Sequence, residues 1–185
     1  MFSTYRSLTI KTYHPILCKL QLLLYALNMD YKDLPFYWIN RLSFLSRKEV
    51  SQRFREAGYS ISPEEWALLL VLWTKGPQAP STLSEETIKD RTTVTRLIDG
   101  LVKKGFVVRT ENPADRRRSD ISLTPAGSEL KDKLLPIGMR MIEKATMGVP
   151  PEDIEITMRT LRLFTENLTA SNTEHADKKG RGNEN

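Results

Sequence analysis

At 185 residues the chain has room for one ordinary domain and is short for two. A hydrophobic content of 39% with 28% charged residues excludes a disordered polyelectrolyte, and no apolar run reaches the ~20 residues that cross a bilayer. The net charge of +5 points to a polyanionic partner, and the single cysteine, Cys18, excludes an internal disulfide framework and fits a reducing cytoplasm.

Residues 1–28 carry Arg6, Lys11 and Lys19 and the short apolar stretch Leu22–Leu27. They read either as a targeting segment or as an extension upstream of a true start at Met29. Lys19 interrupts the apolar region and no small-residue cleavage site follows, so the second reading is favoured. From Leu34 to Ala57 the spacing of Trp38, Leu42 and Leu45 predicts a helix that Gly58 ends. Ser62-Pro63 supplies an N-cap and a first-turn proline for a second helix, with Glu64 and Glu65 favouring its positive end. Trp66, Leu69, Leu70 and Trp73, at i, i+3, i+4 and i+7, mark its expected buried face, and Gly76-Pro77 stops it. A short third helix spans Ser81 to Ile88. Asp90 caps a fourth that runs to Lys104 and ends at Gly105.

The period then changes to that of strands. Phe106–Arg109 and Asp120–Leu123 read as paired strands, and the polar, turn-forming connector between them should project as a hairpin loop. Thr124 caps a long helix with Leu130, Leu134, Ile137 and Met141 on one stripe; Pro136 inside it should kink it or force a local adjustment. Pro150-Pro151 opens a last helix with Ile154, Met158, Leu161, Phe164 and Leu168 in register. The polar tail, residues 171–185, lacks apolar spacing and is expected to be disordered.

The order of elements predicts a mostly α fold with a small β-hairpin wing. A winged helix-turn-helix lobe spans 62–124. The N- and C-terminal helices, 34–57 and 125–170, carry apolar faces too large for that lobe to cover and should form a dimerisation domain with a second copy.

The charge is not evenly spread. Residues 89–118 hold nine of the 28 bases and four of the 23 acids, a local net charge of +5, which leaves 19 of each for the rest of the chain. On charge alone, a solvated basic face and a nucleic-acid footprint are equal readings. The fourth helix adds geometry. Val94, Leu97, Ile98 and Leu101 set its buried side, so Thr92, Arg96, Asp99 and Lys103 point away from it with Thr93 and Thr95 on the flanks. Short hydroxyl side chains followed by an arginine suit a major groove, where arginine pairs with guanine and threonine meets phosphate or a thymine methyl. The hairpin connector ends in Arg116, Arg117 and Arg118. Three adjacent cations repel one another unless an anion lies close, and a wing arginine fits the narrow minor groove beside the recognition helix. Asp115 is placed to pair with one of them.

These residues resemble a known family. Asp90-Arg91-Thr92-Thr93-Val94-Thr95-Arg96-Leu97-Ile98-Asp99, with Leu101 through Gly105-Phe106-Val107, is similar to the recognition helix and first wing strand of the MarR family. Asn112-Pro113-Ala114-Asp115-Arg116-Arg117, leading to Ile121-Ser122-Leu123-Thr124-Pro125-Ala126-Gly127, resembles that family's wing signature, and Ser62 to Leu69 resembles its second helix. The likeness covers about Leu34 to Leu168. It implies a homodimer with interlocked terminal helices, each lobe reading half of a pseudo-palindromic operator as a cytoplasmic, sequence-specific transcriptional regulator, in most members a repressor. It implies that Thr92, Thr93, Thr95 and Arg96 face the major groove and that Asp115 and Arg117 form the wing pair, with Arg116 assisting Arg117 in the minor groove; Lys103 and Arg118 are further DNA-contact candidates on charge and position. Many members release DNA on binding a small aromatic acid or phenol, and Phe36, Tyr37 and Trp38 are candidates to line such a pocket, against the commoner use of aromatics as dimer core. Peroxide-sensing members carry a cysteine at a position that falls near Tyr37 here, so that chemistry is not expected.

An enzyme is not expected. The histidines, His14 and His175, sit near the two ends, and no serine or cysteine has a base beside it. No metal or cofactor is implied. The alternative to a DNA reader is a winged helix used for protein–protein contact, for which the acidic Asp99 on the outer helix face speaks.

Overall fold

The computed structural model describes residues 30–111 and 119–180, with side chains to Ala170. A 3-10 turn (Tyr31–Asp33) leads into α1 (Pro35–Glu56), followed by α2 (Pro63–Lys75), α3 (Pro80–Thr87) and α4 (Arg91–Lys103). The hairpin β1 (Val107–Glu111) and β2 (Ser119–Leu123) precedes α5 (Pro125–Thr146) and α6 (Pro151–Gly180). The mostly helical fold with a two-stranded wing is therefore the one the sequence predicts.

The chain divides into two compact units, one ending at Gln52 and the other starting at Arg53. In the first, the Asp30 carboxylate accepts the Lys32 N–H at 3.0 Å and starts the 3-10 turn. The Tyr37 ring meets Tyr31 and Trp38 edge-on, at 5.0 and 5.1 Å, and the Trp38 indole N–H donates to the Lys32 carbonyl at 2.7 Å.

In the second unit α2 packs on α3, α4, α5 and β2. Its start is a reciprocal cap: the Ser62 hydroxyl accepts the Glu65 N–H at 3.1 Å, and the Glu65 carboxylate accepts the Ser62 N–H at 2.8 Å. The buried stripe differs from expectation. It is Glu65, Leu68, Leu69 and Leu72, whereas Trp66, Leu70 and Trp73 are half-buried. A helix with neighbours on several sides buries more than one stripe, and the tryptophans serve the second side. Trp66 lies edge-on to Phe54 at 5.4 Å and against Gly138 of α5, where a Cβ would approach its ring to 2.7 Å. Trp73 donates its indole N–H to the Gly127 carbonyl at 2.9 Å. Leu68, Leu69 and Leu72 join Leu83, Ile98, Leu101, Ile121 and Leu134 in a fully buried core. Each such side chain contributes about 1.5–3 kcal/mol by leaving water.

The strands pair antiparallel, with Val107 opposite Leu123, Arg109 opposite Ile121 and Glu111 opposite Ser119. A third strand position escapes sequence reading. Gln78, between α2 and α3, exchanges two backbone hydrogen bonds with Ile121, at 3.1 and 2.8 Å. One residue carries no period.

Pro136 does not interrupt α5. Pro136 and Asp132 are both exposed, so the Asp132 carbonyl that loses its amide partner is open to water. The last helix also runs past the boundary at 171, reaching Gly180. No glycine or proline interrupts residues 152–179, and polarity limits burial rather than coiling.

Candidate nucleic-acid interface

The site is built on α4. The Asp90 carboxylate caps it, accepting the Thr93 N–H at 2.8 Å and the Thr93 hydroxyl at 2.7 Å. These bonds, the backbone one first, hold the Asp90 carboxyl below the usual carboxylate range. Since they favour the ionised form, the cap is complete at neutral pH and is lost only as acid carries the pH down through that lowered value. Val94, Ile98 and Leu101 are buried, which leaves Thr92, Thr95, Arg96, Asp99 and Lys103 exposed on the other side.

The three threonines are not equivalent. Thr93 is half-buried and its hydroxyl is committed to the cap, while the Thr95 hydroxyl donates to the Arg91 carbonyl at 2.8 Å. Thr92 and Arg96 have no side-chain partner among the described residues and are free to meet a ligand. Asp99 is paired: the Arg109 guanidinium of β1 donates to it at 2.8 Å, so the acid on the outer face is neutralised and ties the helix to the wing. Both groups are substantially exposed, and the pair contributes little to stability.

Three further contacts fix the attitude of α4, and sequence reading missed them. At its C-terminal end, Lys104 places its ammonium 2.7 Å from both oxygens of the buried Glu65 carboxylate, and the Glu65 Oε1 atom lies 3.0 Å from where a Cβ would stand on Gly100. At its other end, α3 closes through paired backbone bonds, Ile88 N–H to Glu85 and Lys89 N–H to Ser84, with Ile88 in the left-handed region at φ 51°. Glycine is usual at that position, and an L side chain costs about 1–2 kcal/mol there. Finally, the Thr124 hydroxyl donates to the Gly105 carbonyl at 2.6 Å and accepts the Gly127 N–H at 3.0 Å, which sets where the hairpin leaves the lobe. Capping and glycine patterns at Ser62-x-x-Glu65 and Thr124-x-x-Gly127 are visible in the sequence; their distant partners are not.

Asp115, Arg116, Arg117 and Arg118 lie outside the described residues, as do residues 1–28 with Cys18. Tyr37 and Trp38 form an aromatic cluster with Tyr31 in the first unit, and Phe36 and Trp38 are more than half exposed.

A family model described as the MarR family matches residues 61–119, from the residue before the α2 cap to the start of β2. The HTH-type transcriptional regulator YkoM of Bacillus subtilis is 35% identical over 118 residues, covering 63% of this chain and 75% of its own length. The chain belongs to the MarR family. A second relative, the HTH-type transcriptional repressor YetL of Bacillus subtilis, is 25% identical over 134 residues, 68% of this chain and 80% of its own. Among solved structures, BpsR of Bordetella bronchiseptica, whose DNA binding is regulated by 6-hydroxynicotinic acid, matches with a TM-score of 0.66 at 19% identity. That match covers 74% of this chain and 96% of BpsR, and shows the fold. The protein is thus a DNA-binding transcriptional regulator of the MarR family.

Proposed function

We propose that this regulator is a homodimeric repressor that reads a pseudo-palindromic operator. Each lobe sets α4 in a major groove and its wing in the adjoining minor groove, with Arg117, assisted by Arg116 and Arg118, as the minor-groove contact and Asp115 as its partner. The observation that carries the reading is the outer face of α4, where Thr92, Arg96 and Lys103 are exposed around an acid already neutralised by Arg109. That neutralisation weakens the alternative of a pure protein-contact module, which needs an acidic or apolar face.

Dimerisation rests on uncovered apolar surface. On α6, Ile156, Met158, Leu163 and Leu168 are 46–60% exposed, and none of its residues from Pro151 to Ala170 is fully buried. Leu42, Phe44 and Leu45 of α1 are likewise exposed. Surface of this size is stable in water when a second copy covers it. The YetL name favours repression and BpsR favours release by a small aromatic acid. The Trp38 indole N–H is already engaged, which suits the aromatic cluster to packing against the partner chain more than to holding an acid. Among the described residues no helix is long and apolar enough to cross a membrane, and the regulator acts where the chromosome is, in the cytoplasm.

Selection of bound sites from a random duplex pool at near-physiological salt tests the reading. A two-fold symmetric motif with half-sites about one helical turn apart supports it; recovery of unselected DNA opposes it. With that operator, Arg117→Ala should weaken binding about tenfold or more while the dimer stays intact. Arg96→Ala should relax base preference more than it lowers affinity for random DNA, and an equal loss on both would make Arg96 a phosphate contact.

A further inference from the structure

Ile88 stands at the turn between α3 and α4, two residues before the Asp90 cap, and is 85% exposed. Its backbone is left-handed, with φ 51° and ψ 50°, a conformation that β-branched side chains disfavour. With so little of it covered, packing within the lobe does not explain why an isoleucine occupies a site that suits glycine. The side chain borders a shallow concavity of about 430 Å³ whose walls include Ser81, Ser84, Lys89 and Arg91. Glu85 and Asp90 also line it, so charge alone does not make this a phosphate site. The Asp90 carboxylate, however, is taken up by Thr93, whereas Lys89 and Arg91 have no ion-pair partner among the described residues.

We propose that Ile88 is a DNA-contact residue, packing on a deoxyribose of the strand that borders the major groove, with Lys89 and Arg91 on nearby phosphates. The inference rests on α4 lying in that groove. Given this, the turn meets the groove's rim rather than the base edges, because Ile88 precedes the helix and is not on the Thr92–Arg96–Asp99–Lys103 face. A nucleic-acid strand carries anionic phosphate and apolar sugar side by side, and an isoleucine followed one and three residues later by cations offers a contact to each kind from one short turn. The contact is one of backbone positioning and carries no base preference. A rigid β-branched residue is preset for it, at the expense of local backbone strain.

The test compares Ile88→Gly, Ile88→Asn and Ile88→Val in the full chain, on the selected operator duplex and on a random duplex of equal length, with melting temperatures alongside. Glycine and asparagine accept the left-handed backbone and remove the apolar contact. Both should leave the melting temperature unchanged or raise it by a few degrees, while weakening binding to the two duplexes by a similar factor, about 5–10-fold. Valine should stay within about twofold of the parent on both, since it keeps most of the apolar surface. Unchanged affinity in Ile88→Gly overturns the proposal. So does a loss confined to the operator, which makes Ile88 a thymine-methyl reader, or a valine variant as weak as the glycine one. A parent chain that binds neither duplex removes the underlying DNA reading, and the parent's own titration separates that failure from the others.

Discussion

Gly127→Ala is expected to destabilise the protein by about 3 kcal/mol, the upper end of the usual cost of overfilling a packed site. Two effects oppose each other there. Gly127 lies in the first turn of α5, where helix propensity favours alanine by up to about 1 kcal/mol. Packing runs the other way and wins. A Cβ at 127 would fall inside the contact radius of the Phe106 carbonyl oxygen and 2.9 Å from its carbon. The obstacle is backbone, so no rotamer change relieves it. The same carbonyl accepts the Thr124 N–H at 3.1 Å, and the Gly127 carbonyl holds the Trp73 indole at 2.9 Å, so any shift also strains bonds to the wing base and to α2. Denaturant titration should show a lower midpoint with an unchanged slope. DNA affinity of the remaining folded fraction should fall too, since the junction sets where the hairpin leaves the lobe. Ser128→Ala, one residue on and exposed, should be near neutral. A Gly127→Ala variant within about 0.5 kcal/mol of the parent would sink this account of the junction.

Local signals made much of this fold legible. Ser62-Pro63, Asp90 and Thr124 each head the helix expected of them, and the change of period after Gly105 marks the hairpin. These features act within a few residues, as do the backbone rules behind them. The outward side of α4 was legible for the same reason, because four apolar positions fix the rotation of a helix. What sequence did not reveal is long-range pairing. Glu65 reads as a first-turn acid that suits the helix dipole, and nothing local says that Lys104 arrives beside it. Thr93 reads as a flanking hydroxyl available to DNA, yet that hydroxyl is engaged by the Asp90 cap. The Trp66 stripe misled because periodicity finds the apolar residues without saying how many neighbours a helix will have. Ile88 reads as the end of α3, and its left-handed backbone emerges only from the paired bonds to Ser84 and Glu85.

The ion pair that joins α2 to α4 should show an asymmetry. Lys104→Met is expected to cost about 2–3 kcal/mol and Glu65→Gln only about 1 kcal/mol, although each removes the same salt bridge. The difference lies in what is left behind. Glu65 has a side chain 8% exposed, so losing the ammonium strands a carboxylate with the Ser62 N–H as its remaining donor. Lys104 is 32% exposed, and when the carboxylate becomes an amide its ammonium can turn to water. Glutamine also keeps an oxygen for the Ser62 N–H, so the α2 cap survives. The helix dipole adds to the imbalance, because a cation at the C-terminal end of α4 is favourable in its own right. The double variant should lie close to Glu65→Gln alone, giving a coupling energy of about 2–3 kcal/mol in the cycle. Equal costs for the two single variants would mean that the carboxylate finds water or another donor, and that the pair does not hold α4 at its angle to α2. If the asymmetry appears, operator affinity should follow it, with Lys104→Met the weaker binder although the Arg96 side chain is untouched.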